Sequence, residues 1–223
     1  NSLTKNLEGP IKRIILLQRE DGCIPWTEDG VFDAWNHLEC VMALNTLGHS
    51  REAELGFTYL QKNQLEDGSW LGELGSTLKI DENKGTFINR DKNSKIYFRD
   101  TNFAAYIATA CWHDFLVNKS INNLTKNWNM IENAINFVIE NQMHDGSIRW
   151  AAKRREAPED DSLLTGCCSI YKSMICAINC AAQLNKEKPE WTKSLKKLEN
   201  TIRNKPESFD KTWESKKRFS MDW

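Results

Sequence analysis

Three short stretches gather side chains able to move protons or hold a polar ligand. Asp33-Ala-Trp-Asn-His-Leu-Glu39 offers two carboxylates, an imidazole and an indole; Arg99-Asp-Thr-Asn-Phe-Ala-Ala-Tyr106 offers a guanidinium, a carboxylate, an amide and a phenol; Glu159-Asp-Asp-Ser162 offers three carboxylates in a row. Carboxylates that share a cavity repel one another's charge, so at least one takes a raised pKa and stays protonated near neutral pH. A general acid beside a general base is what glycoside cleavage requires, whereas one strong acid is what carbocation cyclisation requires. Asp33, Glu39, Asp100 and Asp161 are accordingly the candidate catalytic groups. Trp35, His37, Arg99, Asn102, Tyr106 and Asp160 are the candidate substrate contacts. Each of Asp33, Asp100 and Asp161 also reads as a helix N-cap, since an aspartate there accepts the free N–H groups of the first turn. His37 reads equally as a core histidine or a proton-transfer group. Glu39 stands within Leu38-Glu-Cys-Val-Met42 and is costly to bury alone, so it faces a water-filled centre or pairs with Arg99.

These stretches open three helices that are apolar almost all round and rich in small residues: Leu38 to Leu47, Phe103 to Trp112, and Gly166 to Ile178. A helix of that kind is covered on most sides. Ahead of each lies an amphipathic helix with a wet face, carrying Ile11, Ile14, Ile15 and Leu17, then Ala53, Phe57 and Leu60, then Trp128, Ile131, Ile135 and Val138. Between the two members of every pair stands one recurring turn: Gln18-Arg-Glu-Asp-Gly-Cys-Ile-Pro-Trp26, Gln64-Leu-Glu-Asp-Gly-Ser-Trp70 and Gln142-Met-His-Asp-Gly-Ser-Ile-Arg-Trp150. The glycine supplies the left-handed conformation that stops a helix, and the tryptophans read as mortar between adjacent hairpins. Gly48 and Asn118 end the first two inner helices, with Ser50 and Thr125 as starts for the next outer ones. The fold predicted is all-α, an outer and an inner helix layer in three hairpins plus part of a fourth, in a single domain over 1–223 with repeats at 1–48, 49–118, 119–185 and 186–223.

Balanced charge, with 30 basic and 31 acidic residues, gives no support for a nucleic-acid partner. No apolar run reaches the length of a membrane-spanning helix, and the first twelve residues are too polar for a signal peptide, so a cytoplasmic protein is expected. The seven cysteines fall mostly inside apolar helical stretches and read as reduced core fillers; Cys176 and Cys180, four apart, lack a neighbouring histidine to complete a zinc set. No metal and no cofactor is expected. The segment from Leu71 to Arg99 is too long for a plain connection and reads as a lid, a binding element or a short hairpin. Lys153-Arg-Arg155 reads as a solvated face, or as a cluster steering an anionic ligand.

The three Gln-x-x-Asp-Gly turns resemble those of the α/α-toroid enzymes of the terpenoid cyclase and protein prenyltransferase type. The combination of Asp33-x-Trp-x-His-x-Glu39, Arg99 to Tyr106 and Leu163-Leu-Thr-Gly166 resembles bacterial prenyltransferase-like proteins. That resemblance implies a ring of hairpins whose inner helices start at one end of a central cavity, with a small-molecule ligand held there and acid-assisted chemistry of the terpenoid-cyclase kind. The motifs depart from it in two places. Pro158-Glu-Asp-Asp161 has proline where the cyclase Asp-x-Asp-Asp begins, and the prenyltransferase zinc set of Asp, Cys and His is not found. A carbohydrate-active toroid using paired carboxylates, as hydrolase or sugar binder, is the alternative, and a non-catalytic helical-repeat interaction protein is a third. Polar groups such as Asn36, His37, Arg99 and Ser162 suit a sugar; the resemblance favours the cyclase. Three hairpins make about half a six-hairpin ring, which predicts an incomplete ring with an open edge, and hence a homo-oligomer or further sequence downstream.

Overall fold

The computed structural model describes residues 2–28, 30–72, 99–152 and 161–211, with side chains from residue 6 onward. The elements in order are α1 (Ser2–Leu17), α2 (Ala34–Thr46), α3 (Ser50–Asn63), β1 (Arg99–Asp100), α4 (Thr101–Asn118), α5 (Ile121–Glu140), β2 (Ala151–Ala152), α6 (Leu164–Gln183), α7 (Pro189–Asn204) and a 3-10 turn at Pro206–Ser208. The protein is all-α, as the helical periodicity predicts, apart from the two-residue strands β1 and β2, which pair antiparallel with Arg99 opposite Ala152 and Asp100 opposite Ala151. The described residues form two compact units: one of α1, α2 and α3, the other of Gln64–Trp70 with the elements from β1 onward.

The three recurring turns are built alike. In each, an Asp-Gly pair folds the chain back: the aspartate Oδ1 accepts the N–H two residues on, from Cys23 at 3.1 Å, Ser69 at 3.2 Å and Ser147 at 3.0 Å. Each glycine takes a positive φ, +95° at Gly22, +87° at Gly68 and +95° at Gly146. The leading glutamine then works as a clamp. Gln18 Nε2 donates to the carbonyls of Gly22 and Glu52, Gln64 Nε2 to those of Gly68 and Met130, and Gln142 Nε2 to those of Gly146 and Ser194, all between 2.8 and 3.2 Å. The second acceptor in each case lies on the next outer helix, α3, α5 or α7. Close approach demands the glycine a second time, because a Cβ would stand 2.2 Å from Leu55 O at Gly22, 2.2 Å from Asn133 O at Gly68 and 2.5 Å from Thr201 Oγ1 at Gly146. Glutamine and glycine therefore join each turn to the next outer helix, alongside the buried Trp70 and Trp150.

In the first unit, Leu38, Val41 and Leu44 of α2 and Ala53, Phe57 and Leu60 of α3 are buried, with Phe32 edge-on to Tyr59 at 5.1 Å. Gly56 lets α2 come close: a Cβ there would lie 2.5 Å from Val41 Cγ2. In the second unit the inner helices α4 and α6 bury small residues, Ala104, Ala105, Ala108 and Cys111 on one and Cys167, Ser173, Ala177 and Cys180 on the other, and the hydroxyls of Thr109 and Ser173 meet at 3.0 Å. Amphipathic α5 turns Leu124, Trp128, Ile131, Ile135 and Val138 inward. Its start falls at Ile121 rather than the predicted Thr125, because Ser120 Oγ accepts the Asn123 N–H and caps the helix one turn earlier. All seven cysteines are free thiols. Among the described residues, no helix is long and apolar enough to cross a membrane.

Candidate functional site

At the start of α2, Asp33 is the N-cap. Its Oδ1 accepts the Asn36 N–H at 2.8 Å, and its Oδ2 accepts Asn36 Nδ2–H at 2.6 Å and the indole N–H of Trp26. Only 1% of Asp33 is exposed, and burial pushes its carboxyl pKa up against those hydrogen bonds. The two residues that hold Asp33 both reach the surface. Trp26 and Asn36 line a cleft of about 520 Å³ together with Ile14, Leu17, Ile24, Pro25, Glu39 and Cys40. Trp26 is 38% exposed, unlike Trp70 and Trp150, which are buried. It thus departs from the mortar role predicted for all three. Glu39, expected either to face water or to pair with Arg99, is exposed at this cleft. Trp35 is half-buried.

His37 is wholly buried. Its Nδ1 accepts the Ile24 N–H at 3.1 Å, which leaves Nε2 protonated to donate to Gly56 O at 3.0 Å. Burial lowers its pKa to about 4, so the imidazole is neutral and ties the first turn, α2 and α3 together. With no exposed surface and both nitrogens engaged, it fills the core alternative of the two read from the sequence.

In the second unit, Asp100 caps α4 by accepting the Phe103 N–H at 3.1 Å. Asp161, the third predicted cap, does not cap α6. Leu163 holds the N-cap position without a side-chain bond, because Asp161 Oδ1 is drawn to the N–H groups of Ser162 at 2.8 Å and Lys211 at 3.1 Å. The backbones of Asp100 and Asp161 flank the same short stretch of chain at Trp150 and Ala151. Thr101 N–H donates to Trp150 O, Trp150 N–H donates to Asp161 O, and Asp100 pairs with Ala151 across the ribbon. Asp100 is half-buried and Asp161 buried. Asn102 and Tyr106, in the first and second turns of α4, are half-buried, and Asn102 Oδ1 finds no hydrogen-bond partner among the described residues.

Arg99 pairs with Asp67 of the second turn, Nε to Oδ2 at 2.9 Å. The pair stands beside a smaller cleft of about 380 Å³ lined by Asp67, Phe137, Glu140, Asn141, Arg149, Ala151 and Ala152. Sequence reading had passed over Arg149 and Asp67 as site residues; each lies within a recurring turn, where the shared residues draw the eye to architecture. Asp160, Lys153-Arg-Arg155 and the segment 73–98, each given a role from the sequence, lie outside the described residues. Among the described residues no group of three or more His, Cys, Asp or Glu side chains is arranged to hold a metal ion.

No protein-family model matches the chain. The chain is 34% identical over 206 residues, 92% of its length, to the MMP endo-(1,4)-3-O-methyl-alpha-D-mannosidase of Mycolicibacterium hassiacum, and it spans about half, 52%, of that relative. Among solved structures it is similar to the unsaturated glucuronyl hydrolase of Bacillus sp. GL1, with a TM-score of 0.56 and 13% identity over 86% of this chain and 53% of that one. It is also similar to an alpha-amylase from Clostridium perfringens, with a TM-score of 0.58 and 9% identity over 86% and 52% of the two chains. These likenesses establish the α/α-toroid fold class that the turns predict. They correct the function: with a mannosidase as the relative, the terpenoid-cyclase expectation loses its ground, and so does the prenyltransferase-like resemblance. The recurring turn reports the scaffold, and fold alone does not fix chemistry.

Proposed function

We propose that the chain belongs to a carbohydrate-active enzyme that hydrolyses α-linked mannosides carrying methyl ethers. The observation that carries this reading is the 34% identity to an endo-acting 3-O-methyl-mannosidase over nearly the whole of this chain. Hydrolysis needs one carboxyl group to protonate the departing glycosidic oxygen and a second to activate water or to attack the anomeric carbon. Asp100 and Asp161, stitched to either side of Trp150, are assigned as that pair. Arg99, Asn102 and Tyr106 beside them are assigned to sugar contact. Asp33, whose two oxygens accept from Asn36 and Trp26, and His37, whose two ring nitrogens are bonded to Ile24 and Gly56, are assigned to hold the α2 start in shape. A ligand-facing surface rich in charged and amide groups suits a substrate whose hydroxyls must all find partners.

The test is incubation of the 223-residue chain with an α-1,4-linked oligosaccharide of 3-O-methylmannose, following new reducing ends, with Asp100→Asn and Asp161→Asn as variants. Turnover in the wild type that falls at least about a hundredfold in either variant, with stability kept, is the expected result. A wild-type chain that neither cleaves nor binds the oligosaccharide overturns the reading.

A further inference from the structure

Resting on the mannoside reading and on Asp161 as one of its carboxylates, we propose that residues 205–211, which follow α7, are a strap that aims the Asp161 carboxylate. Its positioning group is the Lys211 main-chain N–H. Every residue involved lies in the second unit. Asp33 and Asp100 are aimed locally, each bonding an N–H three residues on at the start of its own helix. Asp161 has given up that place. Leu163 holds the N-cap of α6 without a side-chain bond, so this helix forgoes the stabilisation that an aspartate cap provides. Asp161 Oδ1 instead accepts the Ser162 N–H at 2.8 Å and, from 50 residues further along the chain, the Lys211 N–H at 3.1 Å. Two donors from separate segments fix the oxygen where one alone would let the carboxylate swing.

The strap is itself anchored beside that bond. Ser162 is wholly buried; its Oγ donates to Ser208 O at 2.9 Å, and its carbonyl accepts the Asp210 N–H at 2.8 Å. Asp210 takes φ +53°, in the left-handed region that residues other than glycine seldom enter. Successive N–H groups, of Asp210 and Lys211, thereby reach Ser162 O and Asp161 Oδ1. The strap is also tied to the third turn. Lys205 Nζ donates to Asp145 O at 3.3 Å, Thr201 Oγ1 of α7 donates to the same oxygen at 2.6 Å, and Lys211 Nζ meets Asp145 Oδ2 at 3.4 Å. Between these ties Ser208 and Phe209 are buried.

Asp161 is 2% exposed, so the orientation its neighbours set is the one it keeps. In glycoside cleavage a carboxyl group moved by about an ångström or turned out of line loses most of its effect, whether it carries a proton, activates water or attacks. A main-chain N–H constrains the carboxylate whatever side chain residue 211 carries. The aim therefore depends on the backbone course of the strap and not on the Lys211 ammonium.

The experiment replaces the Lys211 amide by an ester in the full chain, through the α-hydroxy analogue of lysine. That change removes the N–H and keeps the side chain; Lys211→Ala does the reverse. Both are assayed on the α-1,4-linked oligosaccharide of 3-O-methylmannose, with kcat taken per folded chain from urea unfolding. The ester should lower kcat at least about tenfold below Lys211→Ala and leave KM within about twofold, because the aim matters in the transition state. In an Asp161→Ala background the ester should cost nothing further, since the bond has lost its acceptor. Should the ester fail to fold, Ser162→Ala, which removes the hydroxyl tie to Ser208 O, carries the test with the same split of kcat from KM and the same silence in Asp161→Ala. A wild type that cleaves the probe, with the ester and Lys211→Ala turning over alike or with a loss that persists in Asp161→Ala, overturns the strap and leaves the mannoside reading standing. An Asp161→Ala variant that turns over like wild type overturns the strap together with the role of Asp161. A wild type that neither binds nor cleaves the probe overturns both the strap and the mannoside reading.

Discussion

Gly68 lies directly against the main chain of Asn133: a methyl group built on its Cα would stand 2.2 Å from the Asn133 carbonyl oxygen. The same residue sits at φ +87°, so two independent demands fall on one position. Gly48 has almost the same φ, +83°, but open space where its Cβ would go. Comparing the two separates backbone conformation from close approach. Gly48→Ala should cost about 1 kcal/mol and Gly68→Ala about 3 to 5 kcal/mol in urea unfolding. Equal losses would show that the turn does not press on α5.

The Gln142 amide bonds the carbonyls of Gly146 and Ser194, and its Oε1 accepts the Ser194 hydroxyl at 2.9 Å. Gln142→Ala removes all three and leaves part-buried acceptors without their donor, a loss of about 2 kcal/mol or more. Neighbour-to-neighbour coupling of repeats makes the damage local. Hydrogen exchange should quicken in α7 and stay unchanged in α2 and α3; uniform quickening would contradict the clamp.

His37 has a folded pKa of about 4 against 6.5 for the free side chain, through burial. The unfolded chain therefore binds the proton first, and stability present above pH 6.5 is lost as the pH falls towards 4, by roughly 3 kcal/mol in all. Asp33 acts with the opposite sign, because a raised carboxyl pKa gives stability that is lost as the pH rises through its folded value. The His37→Gln difference curve isolates the imidazole, and its slope between pH 4 and 6.5 is the readout. If wild type and variant run parallel there, His37 is not a buried neutral ring.

Thiol chemistry should sort by burial. Cys168 is exposed, while Cys167 and Cys180 are buried and held by burial at pKa values of about 12. Since the thiolate is the reacting form, an aromatic disulfide reagent at pH 8 should label Cys168 in the fast phase and the buried pair only on unfolding. Cys168→Ser should remove that fast phase and leave only slower labelling of the half-buried Cys40; a fast phase that survives it would contradict the sorting by burial.

The outer and inner layers were legible because they rest on local signals: helical spacing, an all-round apolar stripe, and a turn whose Asp-Gly pair closes on itself within two residues. Asp33 and Asp100 were legible as caps for the same reason, each bonding an N–H three residues on. Asp161 was not, because its second donor, the Lys211 N–H, lies 50 residues away in sequence. The two partners of His37 stand 13 and 19 residues off, so the sequence left its role open between core and proton transfer. Trp26 shares its motif position with Trp70 and Trp150, and spacing alone carries no sign that its indole turns to Asp33 and to the cleft. The chemistry was misjudged where a family resemblance outweighed the polar helix starts, whose Asn36, Arg99 and Ser162 suit a sugar.

The three carbonyls gripped by the glutamine clamps belong to Glu52, Met130 and Ser194, an acid, a thioether and an alcohol. A bond to main-chain oxygen is blind to the side chain that oxygen belongs to. The glutamine's own two bonds therefore make no demand on which side chain the outer helix carries there, although the third joint adds the Ser194 and Thr201 hydroxyls. The joints between hairpins in this chain are thus written largely in main-chain oxygens, glutamines and glycines.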